Sequence, residues 1–183
     1  MEVGTVNVEG PLDLGRTLSP LGGHFRPDGW WKAMRTPDGP ASLHLRRGNG
    51  VVEGRAFGQG ATWALGQMPG LIGVDDDPSG LKTGDPLVAE LARRNQGWRF
   101  ARSGLVFEAL LGAVVAQKVT GKEAAQSMRG LHRRFSEPAP GPEPLVLSPD
   151  PLRLAEAPYY EFHPLGIEQR RADTIRRVAA DAQ

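Results

Sequence analysis

A chain of 183 residues suits one large domain or two small ones, and an apolar fraction of 39% is enough for a real core. The lack of cysteine excludes disulfides and any thiolate-held metal, and the formal charge of +1 gives no global pull toward polyanions. No stretch reads as a signal peptide or a transmembrane helix, so the expectation is a soluble, cytoplasmic protein.

The first part of the chain reads as strands. Val3, Val6 and Val8 suggest an opening strand over 2–8. Asp13 is placed to cap a short helix carrying Leu14, Leu18 and Leu21, which Gly22 and Gly23 end. A strand is expected over 30–35, followed by the turn signal Thr36-Pro37-Asp38-Gly39-Pro40. Ala41, Leu43 and Leu45 then alternate with Ser42, His44 and Arg46, the period of a half-buried strand. Arg47-Gly48-Asn49-Gly50 carries a hairpin signal into a returning strand over 51–57. Ala61, Leu65 and Met68 suggest a helix halted at Pro69-Gly70. The order is that of an antiparallel α+β module, assigned to residues 1–80 and expected to fold by itself. The loop Asp75-Asp76-Asp77-Pro78-Ser79-Gly80 follows, and its spacing lacks the pattern of a calcium loop, which favours a solvated acidic connection.

Residues 81–183 read as helical. Asp85 and Pro86 start a helix with Leu87, Val88, Leu91 and Ala92, and Gly97 ends it. Over 103–117 the chain is apolar on every side, with Glu108 the only charge before Lys118, the pattern of a buried helix. Thr120 and Glu123 have the spacing of a capping box opening a second helix. Ala124, Met128, Leu131 and Phe135 line one of its faces, and Lys122, Gln126, Arg129 and Arg133 the opposite one. Between the helices a short polar corner could present side chains and free N–H groups to a phosphate backbone, or could be a tight turn beside a solvated basic face. A proline-rich surface loop spans 136–151, Asp150-Pro151 starts a short helix, residues 159–163 form an aromatic connector, and 167–182 make a last helix. The four histidines show no metal-ligand spacing, and there is no Gly-x-Ser-x-Gly elbow.

The run Phe107-Glu-Ala-Leu-Leu-Gly-Ala-Val-Val-Ala-Gln117-Lys-Val-Thr-Gly-Lys-Glu-Ala-Ala125 resembles the early helices of helix-hairpin-helix DNA glycosylases, nearest to the DNA-3-methyladenine glycosylase II family. His163-Pro-Leu-Gly-Ile-Glu-Gln-Arg-Arg-Ala172-Asp-Thr-Ile175 is similar to that family's Gly-x-x-x-x-(Arg)-Ala-x-x-Ile helix start, and Gly10-Pro-Leu-Asp-Leu14 to its opening. The three motifs stand in the family's order and cover essentially the whole chain. The resemblance implies an N-terminal sheet domain like half of the TATA-binding protein, followed by the first part of a glycosylase helical bundle. It also implies hydrolysis of the N-glycosidic bond of alkylated purines in double-stranded DNA, without metal or other cofactor and without membrane attachment, the complete protein being a monomer.

Such an enzyme flips its target base from the stack and fills the gap with a wedge. By the resemblance the wedge corner falls on Gln117 and Lys118, with Thr120 and Lys122 as further DNA contacts. Lys118 stands where the family's best-known members carry an apolar residue. Tyr159 and Tyr160, in the aromatic connector with Phe162, are the candidates to stack on the flipped base. The family's hairpin and catalytic Asp would lie beyond Gln183, so no catalytic residue is assigned, and Asp173 and Asp181 are not promoted to that role. A noncatalytic DNA-binding or scaffold protein of the same fold is the alternative, and a small α+β interaction module without nucleic-acid function is a third.

Overall fold

The computed structural model describes residues 1–77 and 80–182. Pro78 and Ser79 of the expected acidic loop, and Gln183, lie outside the described residues. The protein is of the α+β class, and its chain divides into two compact units.

The first unit comprises Met1–Lys32, Thr36–Gly104 and Pro140–Glu143. Its strands are β1 (Glu2–Asn7), β2 (His24–Arg26), β3 (Gly29–Thr36), β4 (Gly39–Arg47) and β5 (Val51–Gly58), in the spatial order β1-β5-β4-β3-β2. β1 and β4 each pair antiparallel with β5, and β2 pairs antiparallel with β3. Helix α1 (Leu14–Leu18) starts where Asp13 accepts a hydrogen bond from Arg16 N–H at 2.9 Å, as its sequence leads one to expect. α2 (Ala61–Gly66) lies over β1, β4 and β5. Gly54 marks the close approach, because a Cβ there would stand 3.0 Å from Leu65 Cδ2 of this helix and 2.3 Å from Sδ of the following Met68. Leu43, Leu45, Val52, Ala56, Ala64, Met68 and Leu71 are all buried in this unit.

Three features of this unit depart from the sequence expectations. Pro69 does not halt the helical segment; it sits in the first turn of α3 (Met68–Leu71), where a missing N–H costs no intrahelical bond. β4 is not half-buried, since Ser42 and His44 are buried as well as Leu43 and Leu45. His44 stacks on Trp31 at 4.3 Å, and Trp31 stacks in turn on Phe57 at 6.0 Å, so aromatic rings cover the second side of the strand. β2 is an added edge strand whose residues are all exposed, so no alternation announces it. Its only signal is the turn tripeptide Pro27-Asp28-Gly29, a repeat of Pro37-Asp38-Gly39.

α4 (Pro86–Arg94) is capped by Asp85, which accepts from Leu87 and Val88 N–H at 2.8 and 3.1 Å. The chain after α4 is then tied back onto the unit. Asp13 N–H donates to Gly97 O at 2.7 Å, Arg102 N–H to Gly70 O at 2.8 Å, and Arg99 Nη2 to Glu9 O at 2.5 Å and Pro11 O at 3.1 Å. Asp76 accepts from Phe100 N–H at 2.8 Å, and Asp75 pairs with Arg102.

The second unit comprises Ala33–Arg35, Leu105–Ala139 and Pro144–Gln183. Its helices are α5 (Val106–Val115), α6 (Gly121–Phe135), α7 (Pro151–Glu156), α8 (Tyr159–Phe162) and α9 (Gln169–Ala180). Leu111, Val114, Val115, Leu131, Phe135, Leu154, Phe162, Ile167, Ala172 and Ile175 form one apolar core. α5 is not buried on all sides. It packs against α6 and α9, and the stripe Val106, Ala109, Leu110 and Ala113 stays exposed, Val106 at 68%. The proline-rich stretch contains a short antiparallel bridge between Pro138 and Val146, and Leu145 and Leu147 are buried, so it is more ordered than a surface loop. The aromatic connector is helical, not a loop: α8 runs straight into a 3-10 turn over His163–Leu165. The pattern hides this because one helical turn is too short to show a period.

Candidate nucleic-acid interface

The corner between α5 and α6 is a short turn of fixed backbone geometry held by side-chain hydrogen bonds on either side. α5 ends at Val115 with Ala116 as its C-cap, and α6 begins after the N-cap Thr120. Lys118 lies between them at φ 54°, the only non-glycine residue with positive φ among the described residues. A side chain in this left-handed region costs about 1 kcal/mol relative to glycine, so the turn is shaped at some expense to stability. Gln117, Lys118, Thr120 and Lys122 are all exposed, while Val119 is half-buried beneath them.

The capping box forms as its spacing predicts. Glu123 N–H donates to Thr120 Oγ1 at 3.3 Å, and Thr120 N–H donates to Glu123 Oε2 at 2.8 Å. The N–H groups of Gly121 and Lys122 have no acceptor within the helix, and both residues are exposed. Hydrogen bonds from the Thr120 backbone and hydroxyl, with the nearby positive charge of Arg171, hold the Glu123 carboxyl below its ordinary range.

Arg171 is the residue that sequence reasoning missed. It belongs to α9 and is buried, with 7% exposure. Its Nη1 donates to Val115 O at 3.0 Å, the last carbonyl of α5, and its Nη2 to Gly166 O at 2.9 Å. It therefore caps the C-terminal end of α5 from below and joins it to the turn leading into α9. Gly166 adopts φ +75° there, a conformation that glycine takes without strain. The signal was in the sequence, since Gly166, Arg171, Ala172 and Ile175 are the fixed positions of the helix-start motif. The motif gives the residue's place; only the fold shows which carbonyls it reaches.

Tyr159 and Tyr160 are not brought to this corner. Their neighbour Glu161 pairs with Arg134 at 2.8 Å, in the last turn of α6. Arg134 lies 13 residues past Gly121, which at the ordinary helical rise is about 20 Å from the corner. Tyr159 packs edge-on to His163 at 5.8 Å and against the core, whereas Tyr160 is 70% exposed. Phe162, read from sequence with the two tyrosines as a stacking candidate, is fully buried and stacks on Phe135 at 5.8 Å. The hydrogen bond from Arg134 holds the Glu161 carboxyl below its ordinary range.

Among the described residues no group of His, Asp or Glu is arranged to hold a metal ion, and no helix is long and apolar enough to cross a membrane. Asp173 is within 3.7 Å of Arg176, and Asp181 is the C-cap of α9.

No protein-family profile and no curated protein sequence matches the chain. Solved structures do. A 3-methyladenine DNA glycosylase from Archaeoglobus fulgidus is similar over 96% of this chain and 66% of its own, at a TM-score of 0.75 and 14% identity. MBOgg1 in complex with a low-affinity DNA ligand is similar over 100% of this chain and 66% of its own, at 0.64 and 16% identity. An 8-oxoguanine glycosylase/lyase from Clostridium acetobutylicum, bound to double-stranded DNA with cytosine opposite 8-oxoguanine, is similar over 92% of this chain and 58% of its own, at 0.58 and 14% identity. The chain thus spans less than two thirds of the length of these structures, and what it shares with them is the fold.

Proposed function

We propose that this chain is a DNA-repair glycosylase-like protein that engages duplex DNA at the Gln117–Lys118 corner, as part of the excision of alkylated purines. The observation that carries the reading is Lys118. It is held in a left-handed conformation at an exposed corner, braced by a capping box on one side and by buried Arg171 on the other. A stiff, cationic protrusion with open N–H groups beside it suits entry at a duplex and contact with phosphate. The glycosylase fold supports the substrate class, and the carry-over of the wedge position from the sequence motif supports the location.

In this reading Gln117 and Lys118 sit at the gap left by a flipped base, Lys118 filling it with its alkyl stem and placing its ammonium on a phosphate or base edge. Thr120 and Lys122 contact the backbone. No carboxylate of this chain is assigned to catalysis, so the chain alone is expected to bind DNA without releasing alkylated bases. A noncatalytic DNA-binding role of the same fold makes the same binding prediction and differs only in whether a longer form of the protein releases bases.

The test measures binding of the chain to a duplex carrying an alkylated purine or an abasic site, with Lys118→Glu as the comparison. Weaker binding by the variant and a shallower salt dependence, by about one unit for one lost phosphate contact, are expected. An unchanged salt slope would remove Lys118 from the interface. Base release is assayed on the same duplex, and robust release by the chain alone would mean that a carboxylate within it is catalytic.

A further inference from the structure

Lys122, Gln126, Arg129 and Arg133 lie within about 60° of one another around the axis of α6, at 3.6 residues per turn. All four are exposed. None of Lys118, Lys122, Arg129 and Arg133 has a carboxylate within ion-pair distance among the described residues. Among the described residues, several exposed arginines elsewhere are closed onto acids, although Arg47 and Arg177 are not. Arg46 pairs with Glu53, Arg93 and Arg94 with Glu90, Arg102 with Asp75, and Arg134 with Glu161. α4 shows how a solvated helix of this protein is ordinarily laid out, with its acid set three and four residues before its bases. The single acid of α6, Glu123, is engaged in the capping box and lies off the ridge.

We infer that this outer ridge of α6 is a second contact surface for duplex DNA, following the phosphates of one strand for about five base pairs beyond the corner. The inference rests on the duplex-binding reading of the corner and extends its footprint. From Lys122 to Arg133 the ridge is about 16 Å long by helical rise, and phosphates of one strand advance about 3.4 Å along the duplex per step. Unpaired like charges one helical turn apart fall within a Debye length of about 8–10 Å and repel each other, an unfavourable arrangement that a row of phosphates relieves. Gln126, midway along the row, adds a neutral donor. The ridge carries no large apolar side chain to enter a bilayer.

The experiment uses the intact chain and a lesion-free duplex of about 20 base pairs, with affinity followed between about 50 and 200 mM salt. Arg129→Ala with Arg133→Ala removes two ridge cations. Arg47→Ala with Arg177→Ala removes two exposed cations off the ridge that likewise lack an ion pair, and so keeps net charge equal. The ridge variant is expected to lower the salt slope by about two units and the control by much less. An unchanged slope in the ridge variant, with Lys118→Glu still weakening binding, overturns the ridge and leaves the corner standing. An equal loss in both double variants overturns it as a net-charge effect. Equal dependence on the ridge with heparin, without preference for the duplex, overturns the assignment to DNA. Absence of duplex binding by the wild-type chain overturns the corner and the ridge together.

Discussion

Two polar turns of this protein look alike as sequence and are used in opposite ways. The acidic turn of the first unit, with Asp75 and Asp76, engages its charges with the unit's own chain: Asp76 accepts from Phe100 N–H, and Asp75 meets Arg102. The corner of the second unit, with Gln117 and Lys118, is held by groups outside it and leaves its own side chains open. Charge density alone does not mark a binding surface. A charge whose position is fixed by other residues, and which has no internal partner, is what a ligand can use.

The comparison is broken most directly by removing the brace. Arg171→Met fills similar space but leaves Val115 O and Gly166 O without their donors, and it should destabilise the chain by about 2–4 kcal/mol. Urea unfolding measures this, and duplex affinity of the folded variant should fall several-fold as the corner loosens. Stability within about 0.5 kcal/mol of wild type would show that the corner holds itself.

The corner's own cost can be read from Lys118→Gly. Glycine adopts φ near 54° freely, so the variant should gain about 1 kcal/mol of stability while losing duplex affinity. A thermal melt and a binding curve together check it, and a variant more stable with undiminished binding would reduce the corner to a turn.

At the acidic turn the expected effects are smaller. Asp75→Asn removes an exposed ion pair and should cost under about 1 kcal/mol with no change in duplex binding. A loss of binding here would erase the distinction between the two turns. A related pair of fragments, 1–80 and 1–104, tests the proposed boundary of the α+β module. The strap 97–102, held by Arg99 and Asp76, is in the longer fragment only, and circular dichroism melts should show a higher midpoint for it.

The smallest effect concerns pH. The Glu123 carboxyl is held down in the folded chain by hydrogen bonds from Thr120, so it binds protons less readily there than in the unfolded chain. Its contribution is therefore present above the ordinary carboxylate range and lost as pH falls through the lowered folded value. The protection of the Thr120 amide, taken relative to its intrinsic exchange rate at each pH, should fall on acidification in wild type, and Glu123→Gln should flatten that dependence.

Local signals in the sequence were sufficient for much of the scaffold. Asp13, Asp85, Thr120 and Asp150 each cap the helix that their spacing indicates, because capping is a contact between residues two or three apart. The strands β3, β4 and β5 follow from turn chemistry and alternation for the same reason. β2 and α8 escaped because three exposed residues and a single helical turn carry no period.

The amino-acid sequence by itself determined the α+β class, the capping box, the polar corner and the order of motifs that resembles the glycosylases, all of them properties of neighbours in the chain. Only the tertiary structure decided what covers what. It put Phe162 in the core, left the Val106 stripe of α5 exposed, moved Tyr159 and Tyr160 to the far end of α6, and set Arg171 under the last carbonyl of α5. The physical reason is that burial and hydrogen-bond partnership depend on which helices meet. Arg171 and Val115 are 56 residues apart, a separation at which no local pattern specifies the partner.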